Sequence, residues 1–260
     1  MRQTLRSAFA VALFLLMTPL ATAGVVTSKH NLSATGPGTI KAATEAQTCV
    51  FCHAPHNSSP SAPLWNRSNP GSTYIPYSSS TAKAKPGQPT GSSLLCLSCH
   101  DGTVALGDVL SRGTRIPMAG GVTTLPVGKS NLGTDLSNDH PVSFAYTSTL
   151  ANAHNGELVD PSALTGRVKL DASGQLQCTS CHDAHDDSNG KFLVMPNQAS
   201  ALCQTCHTKN YWSGSAHKTS TATGKVPVPI HGSTPVARRW RPMPAKVVIN
   251  RTQRVLESAC

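Results

Sequence analysis

Eight of the nine cysteines fall into four Cys-x-x-Cys pairs: Cys49 and Cys52, Cys96 and Cys99, Cys178 and Cys181, Cys203 and Cys206. A histidine follows each pair at once: His53, His100, His182 and His207. Histidine supplies 11 of 260 residues, so four such followers arise by chance with odds of roughly a few in a million. The pattern therefore has one chemical cause, and the rest of the chain must fold around four units of two thiols and one imidazole. Disulfides are the default reading of cysteine in an exported chain. Paired Cys-x-x-Cys elements also build zinc sites, and a single pair in a βαβ context serves thiol redox chemistry. None of these gives a reason for a histidine after every second cysteine, and no βαβ context is present.

Cys-x-x-Cys-His is the haem c attachment signature. Two cysteines three apart on one helical turn project the same way and can meet both vinyl groups of a porphyrin. The adjacent histidine then supplies a proximal nitrogen to the iron. Four covalent haem c groups also account for an odd composition. Aromatic residues are 5% and charged residues 13%, while glycine and proline number 20 and 19. So few bulky apolar side chains hardly fill the core of a domain this size, but four flat apolar cofactors can. The expected fold is a multihaem cytochrome c, mostly coil with short α-helices of one or two turns wrapped around stacked haems, and little β.

Residues 1–23 read as a Sec-type signal peptide: Arg2 and Arg6, the apolar run 8–17, then Ala21-Thr22-Ala23. No other segment is long and apolar enough to span a membrane. The mature chain is thus expected in the periplasm or outside the cell. Its formal charge falls from +10 to +8 once the two leader arginines are gone. Haem propionates would bring two negative charges each, about eight in all, so the basicity reads as internal compensation. Scattered basic residues without a basic helix do not point to nucleic acid.

Four irons offer eight axial positions, and the motif histidines take four. His30, His56, His140, His154, His185, His217 and His231 remain, against only Met118, Met195 and Met243 after the leader. Bis-His ligation with low reduction potentials is favoured. His56 and His185 hold matched places in "CHAPH" and "CHDAH". Three residues of extended chain span only about 10 Å, too little to round a porphyrin edge. His185 therefore cannot cap the haem held by His182, but it can reach a neighbouring haem. His140, extended before Pro141, His30 near the mature N-terminus, and His217 are further distal candidates. His154 beside Asn155-Gly156 reads as a turn residue, and His231 lies in a Gly/Pro-rich tail. Five candidates for four sites leave one in surplus, or one serving a neighbouring chain.

The expected organisation is a signal peptide over 1–23, a tetrahaem domain over 24–232 with motif pairs at 49–100 and 178–207, and a basic tail over 233–260. Residues 24–48 read as an extended arm, and "HPVSFAYTSTL" allows a short strand. The tail carries six basic residues from Arg238 to Arg254 against Glu257, and it stops on the unpaired Cys260. That cysteine is free, or pairs between chains, or begins a truncated fifth motif.

The stretches "CVFCHAPH", "LLCLSCHDGTVALGD", "LSNDHPVSF", "LQCTSCHDAH" and "LCQTCH" resemble multihaem c-type cytochromes of the doubled CxxCH type, over roughly residues 30–220. They are also similar to tetrahaem subunits that polymerise into extracellular filaments, in which a distal histidine can come from the next subunit. The resemblance implies covalent haem c, bis-His iron and electron transfer in anaerobic respiration. The expected partners are other redox proteins, cytochromes or a quinol-linked donor. The leading expectation is an electron carrier and not an enzyme. The rivals are a multihaem reductase of a small oxyanion, which needs an open iron position, and a filament-forming homopolymer.

Overall fold

The computed structural model describes residues 24–59, 62, 64–153 and 157–219. Residues 1–23, expected as a signal peptide, together with His154, His231, Met243, Cys260 and the basic tail, lie outside the described residues. Five short α-helices are present among those described: α1 (Gly91–His100), α2 (Ser148–Asn152), α3 (Cys178–Cys181), α4 (Ala201–Gln204) and α5 (Ala216–Thr219). One antiparallel pair, β1 (Phe144–Ala145) and β2 (Gln175–Leu176), is in register Phe144 to Leu176. The expected strand in "HPVSFAYTSTL" thus forms, but over two residues. The mostly coil architecture is the one expected, and its reason is visible in the core. Among the described residues, buried apolar side chains gather in four small clusters, two of them joined through Cys206, and not in one large core.

Each motif adopts one turn. The backbone N–H of His53 donates to the Cys49 carbonyl at 2.8 Å, His182 to Cys178 at 2.9 Å, and His207 to Cys203 at 2.9 Å. This is the helical i to i−4 bond, and it puts both cysteines on one side of the turn. Motif 1 forms a 3-10 turn over Cys49–Phe51, and motif 3 is α3 itself. Motif 2 departs from the expected one or two turns. It closes α1, a ten-residue helix that begins five residues before Cys96. Leu97 explains the extension: it is buried against Tyr74 and Leu136, and this packing stabilises the preceding turns.

Three motifs are then clamped by a returning segment in an isolated β-bridge: His53 with Trp65, His182 with Leu193, and His207 with Leu158. In motifs 1 and 3 the device is the same. The Cys52 carbonyl accepts from Asn66 N–H and the Cys181 carbonyl from Val194 N–H, both at 2.9 Å. Ala54 N–H donates to Leu64, and Asp183 N–H to Phe192. Leu64 and Phe192 both take left-handed backbone, φ 62° and 58°.

Residues 24–48, expected as an extended arm, are wound and packed instead. Asn31 and Ser33 are buried. The Asn31 side chain donates to the Val26 carbonyl at 2.7 Å and accepts from the Ser33 and Thr48 hydroxyls. A buried amide satisfied this way ties the segment down, because freeing it would leave polar groups unpaired.

Candidate haem-binding site

The four motifs make successive contacts in chain order. Cys52 and Cys99 pack on one apolar cluster with Phe51 and Leu106. Cys181 and Cys206 pack on another with Leu193, Val194 and Leu202. Between these pairs the thiols of Cys96 and Cys178 are close enough to shift each other's titration. Helices α1 and α3 meet at this junction through buried polar side chains. Gln177 Oε1 accepts from Ser93 Oγ at 2.6 Å and from Ser143 Oγ at 3.0 Å, while Cys178 N–H donates to Ser93 Oγ at 3.0 Å. Gly91 has φ +52°, and a Cβ there would meet Gln177 Nε2 at 2.9 Å, so only glycine lets the helices approach.

Cys49 is exposed, and Cys52, Cys96, Cys99, Cys178, Cys181, Cys203 and Cys206 are half-buried free thiols. Burial pushes Cys52 and Cys181 up to about 12 and Cys206 to about 11. Cys99 is also raised by burial, with the Arg67 guanidinium acting in the opposite direction. Cys178 is lowered, to about 7, first by the neighbouring Cys96 thiol.

Six of the candidate axial histidines meet in three pairs. His30 and His100 have ring centroids 6.0 Å apart with planes at 68°. His53 and His185 stand 6.0 Å apart at 15°. His140 and His207 stand 6.3 Å apart at 72°. Each pair joins a motif histidine to a non-motif histidine from a distant part of the chain. An imidazole nitrogen binds a first-row metal at about 2 Å and lies roughly 1 Å from its ring centroid, so rings facing each other across one ion have centroids about 6 Å apart. The spacing fits an iron between each pair.

Ring orientation fits as well. Nδ1 of His100 meets the Ser130 carbonyl at 2.7 Å, that of His182 the Lys191 carbonyl at 2.9 Å, that of His140 the Pro141 carbonyl at 2.9 Å, and that of His30 the Ala184 carbonyl at 3.4 Å. A carbonyl only accepts, so Nδ1 carries the proton and Nε2 keeps the lone pair that a metal needs. His30, His53, His140 and His182 all lie below the usual histidine range. Desolvation is the first cause in each; for His53 and His140, which are exposed, the lowering is correspondingly weak evidence of burial. Neutral imidazole is the ligating form.

His56 and His182 stand outside these three pairs. His56 is exposed and shares a surface groove with Cys49 and His53. His217 lies on α5.

Several contributing residues carry no signal in the sequence. Phe192 stacks on His30 at 4.0 Å between centroids. Trp65 makes edge contact with His53 at 5.9 Å. Its buried indole Nε1 has no hydrogen-bond partner among the described residues, and it is a donor that a propionate oxygen can accept. Asn66 and Arg67 are fully buried. A lone tryptophan before an Asn-Arg pair in a polar loop gives no periodicity to read.

Residues 172–211 match the family model described as the doubled CXXCH motif. No curated protein matches the chain. The matched segment holds Cys178–His182 and Cys203–His207. It supports covalent haem c binding and electron transfer by a c-type cytochrome.

Proposed function

We propose that the chain holds four covalent haem c groups in the order of its motifs and passes single electrons along them. The observation that carries this reading is the set of three imidazole pairs at 6.0–6.3 Å, each combining one motif histidine with one other. Cys49 and Cys52, Cys96 and Cys99, Cys178 and Cys181, and Cys203 and Cys206 are the thioether positions. His53 with His185, His100 with His30, and His207 with His140 would hold three of the irons. His182 would hold the fourth together with His217 or His56. When bound, haem iron supplies a reversible one-electron couple. The protein supplies attachment, spacing and ring orientation, the last through backbone carbonyls that hold the Nδ1 protons. Electrons enter and leave by contact with other redox proteins. Residues 1–23 are the export signal, 24–232 the tetrahaem unit and 233–260 a basic tail, in the periplasm or outside the cell.

Pyridine haemochrome analysis and a mass spectrum of the purified holoprotein test the count. Four haems per chain are expected, and a colourless protein carrying zinc or cystine would sink the reading. Electron paramagnetic resonance tests the pairing. Near-perpendicular imidazole planes leave two iron d orbitals close in energy and give a strongly anisotropic low-spin signal, whereas parallel planes split them. Two sites of the first kind and one of the second are expected. A stoichiometric high-spin iron would favour the oxyanion reductase instead.

A filament subunit is the second reading, and exposed His56 favours it: on the surface beside motif 1, it is placed to reach an iron of the next chain. Electron microscopy of the secreted protein and of His56→Ala tests this. Loss of polymer in the variant is expected on that reading, and a monomeric wild type would end it.

A further inference from the structure

The two motif pairs are joined by the same backbone device with one difference in charge. In the first pair the segment that clamps motif 1 runs on from Trp65 through Asn66 to Arg67. Arg67 reaches Ser98, the third residue of Cys96-Leu97-Ser98-Cys99: Nε donates to Ser98 Oγ at 3.2 Å and Nη2 to the Ser98 carbonyl at 3.0 Å. In the second pair the clamp runs on from Leu193 through Val194 to Met195. Thr205 Oγ1 donates to Met195 Sδ at 3.6 Å, and Thr205 is likewise the third residue of Cys203-Gln204-Thr205-Cys206. Arg67 and Met195 thus occupy equivalent places, a cation in one half and a neutral thioether in the other.

Among the described residues, no carboxylate pairs with the buried guanidinium of Arg67. Its side chain is fully enclosed. The other three N–H groups go to the carbonyls of Leu106 at 2.9 Å, Ala105 at 3.0 Å and Asp108 at 3.4 Å. All five donors are therefore spent on neutral oxygens. The Asp108 carboxylate turns outward to Arg115. Asp101, the other charged residue buried among those described, gives its carboxylate to Tyr74, Thr103 and Ser72.

We propose that Arg67 is a potential-setting residue, which holds the two haem sites of the first motif pair at higher reduction potential than those of the second. The inference rests on the tetrahaem reading above. When a ferric centre accepts one electron from an external donor and becomes ferrous, its charge falls by one. A fixed buried cation nearby favours that form, and low dielectric strengthens the effect. Electrons entering the chain would settle on the N-terminal half.

The experiment is a haem-resolved redox titration of holoprotein, following haem methyl resonances by NMR, for the wild type, Arg67→Met and Arg67→Lys. Arg67→Met reproduces the residue present at 195. It is expected to lower the ferrous-to-ferric ratio of the first pair at fixed ambient potential by about tenfold, a shift of ~59 mV for a one-electron couple, and to leave the second pair unmoved. Arg67→Lys keeps the charge but loses the fork, so its potentials should stay near wild type while its melting temperature falls. Unchanged potentials in Arg67→Met, or equal shifts in both variants, overturn the proposal. Should Arg67→Met yield no holoprotein, the wild-type titration decides: reduction of the second pair before the first refutes it. Haem content is measured on the same samples, so a protein without four haems fails the earlier reading and is distinguishable from four haems with the wrong order of potentials.

Discussion

The first motif pair, Cys49–His100, and the second, Cys178–His207, share a backbone solution and differ in what fills it. Both send a segment back across the motif, with a left-handed residue before the bridge and an N–H donated to the second cysteine's carbonyl. In the first pair the next two side chains are Asn66 and Arg67, wholly buried and hydrogen bonded. Asn66 Nδ2 donates to the Val50 carbonyl at 2.6 Å and to Ser111 Oγ at 2.8 Å, and its Oδ1 accepts from Ser111 N–H at 2.8 Å. In the second pair the same places hold Val194 and Met195 in an apolar cluster with Val168 and Leu202. One geometry can therefore be held by directional polar contacts or by close packing. Polar contacts stand at higher stakes, since a single deletion strands several buried partners.

This contrast is open to direct attack. Asn66→Ala leaves the Val50 carbonyl and the Ser111 N–H unpaired, and it is expected to cost about 2–4 kcal/mol. Val194→Ala leaves a small cavity and should cost about 1–3 kcal/mol. Denaturant titration of both holoproteins measures the difference, and equal costs would erase the distinction between the two halves. Gly91→Ala probes the junction between the pairs. It forces a side chain into left-handed backbone against Gln177 and should cost about 1–3 kcal/mol. If the junction couples the halves, this variant also broadens unfolding into two steps; a single sharp transition would show the halves melting together regardless.

Acid should act on both halves alike. His53 and His30 face motifs 1 and 2, His182 and His140 motifs 3 and 4, and all four lie below the ordinary histidine value through desolvation first. A histidine whose folded value is depressed binds fewer protons folded than unfolded. Stability then rises with pH through the window below about 6.5 and falls on acidification. Stability measured from pH 7 down to pH 5 should decline gradually for both pairs, and loss confined to one pair would show that its partner's imidazoles are protected.

Much of the candidate site is legible in the sequence. The four motifs announce themselves by local spacing, and the surplus of histidine over methionine follows from counting. The coil-rich fold follows from composition, because few apolar residues leave little for helices and sheets to bury. Tertiary information begins where a residue acts across a long separation. Nothing near His30 in the chain says that it faces His100, and nothing near Arg67 says that its guanidinium is enclosed beside Ser98. The packed state of residues 24–48 was missed for the same reason: Asn31 reads as a loop residue until its buried acceptors are known.

The sequence by itself determined which residues are candidates to carry chemistry. Attachment of a flat cofactor by two thiols and one imidazole needs neighbours within a single turn, and a single turn is written in five consecutive letters. Only the tertiary structure decided which imidazoles face one another, in what order the motifs touch, and where a buried charge lies. Those are properties of chain closure. The free energy of burying and pairing distant groups selects among many loop paths that local spacing leaves equally open.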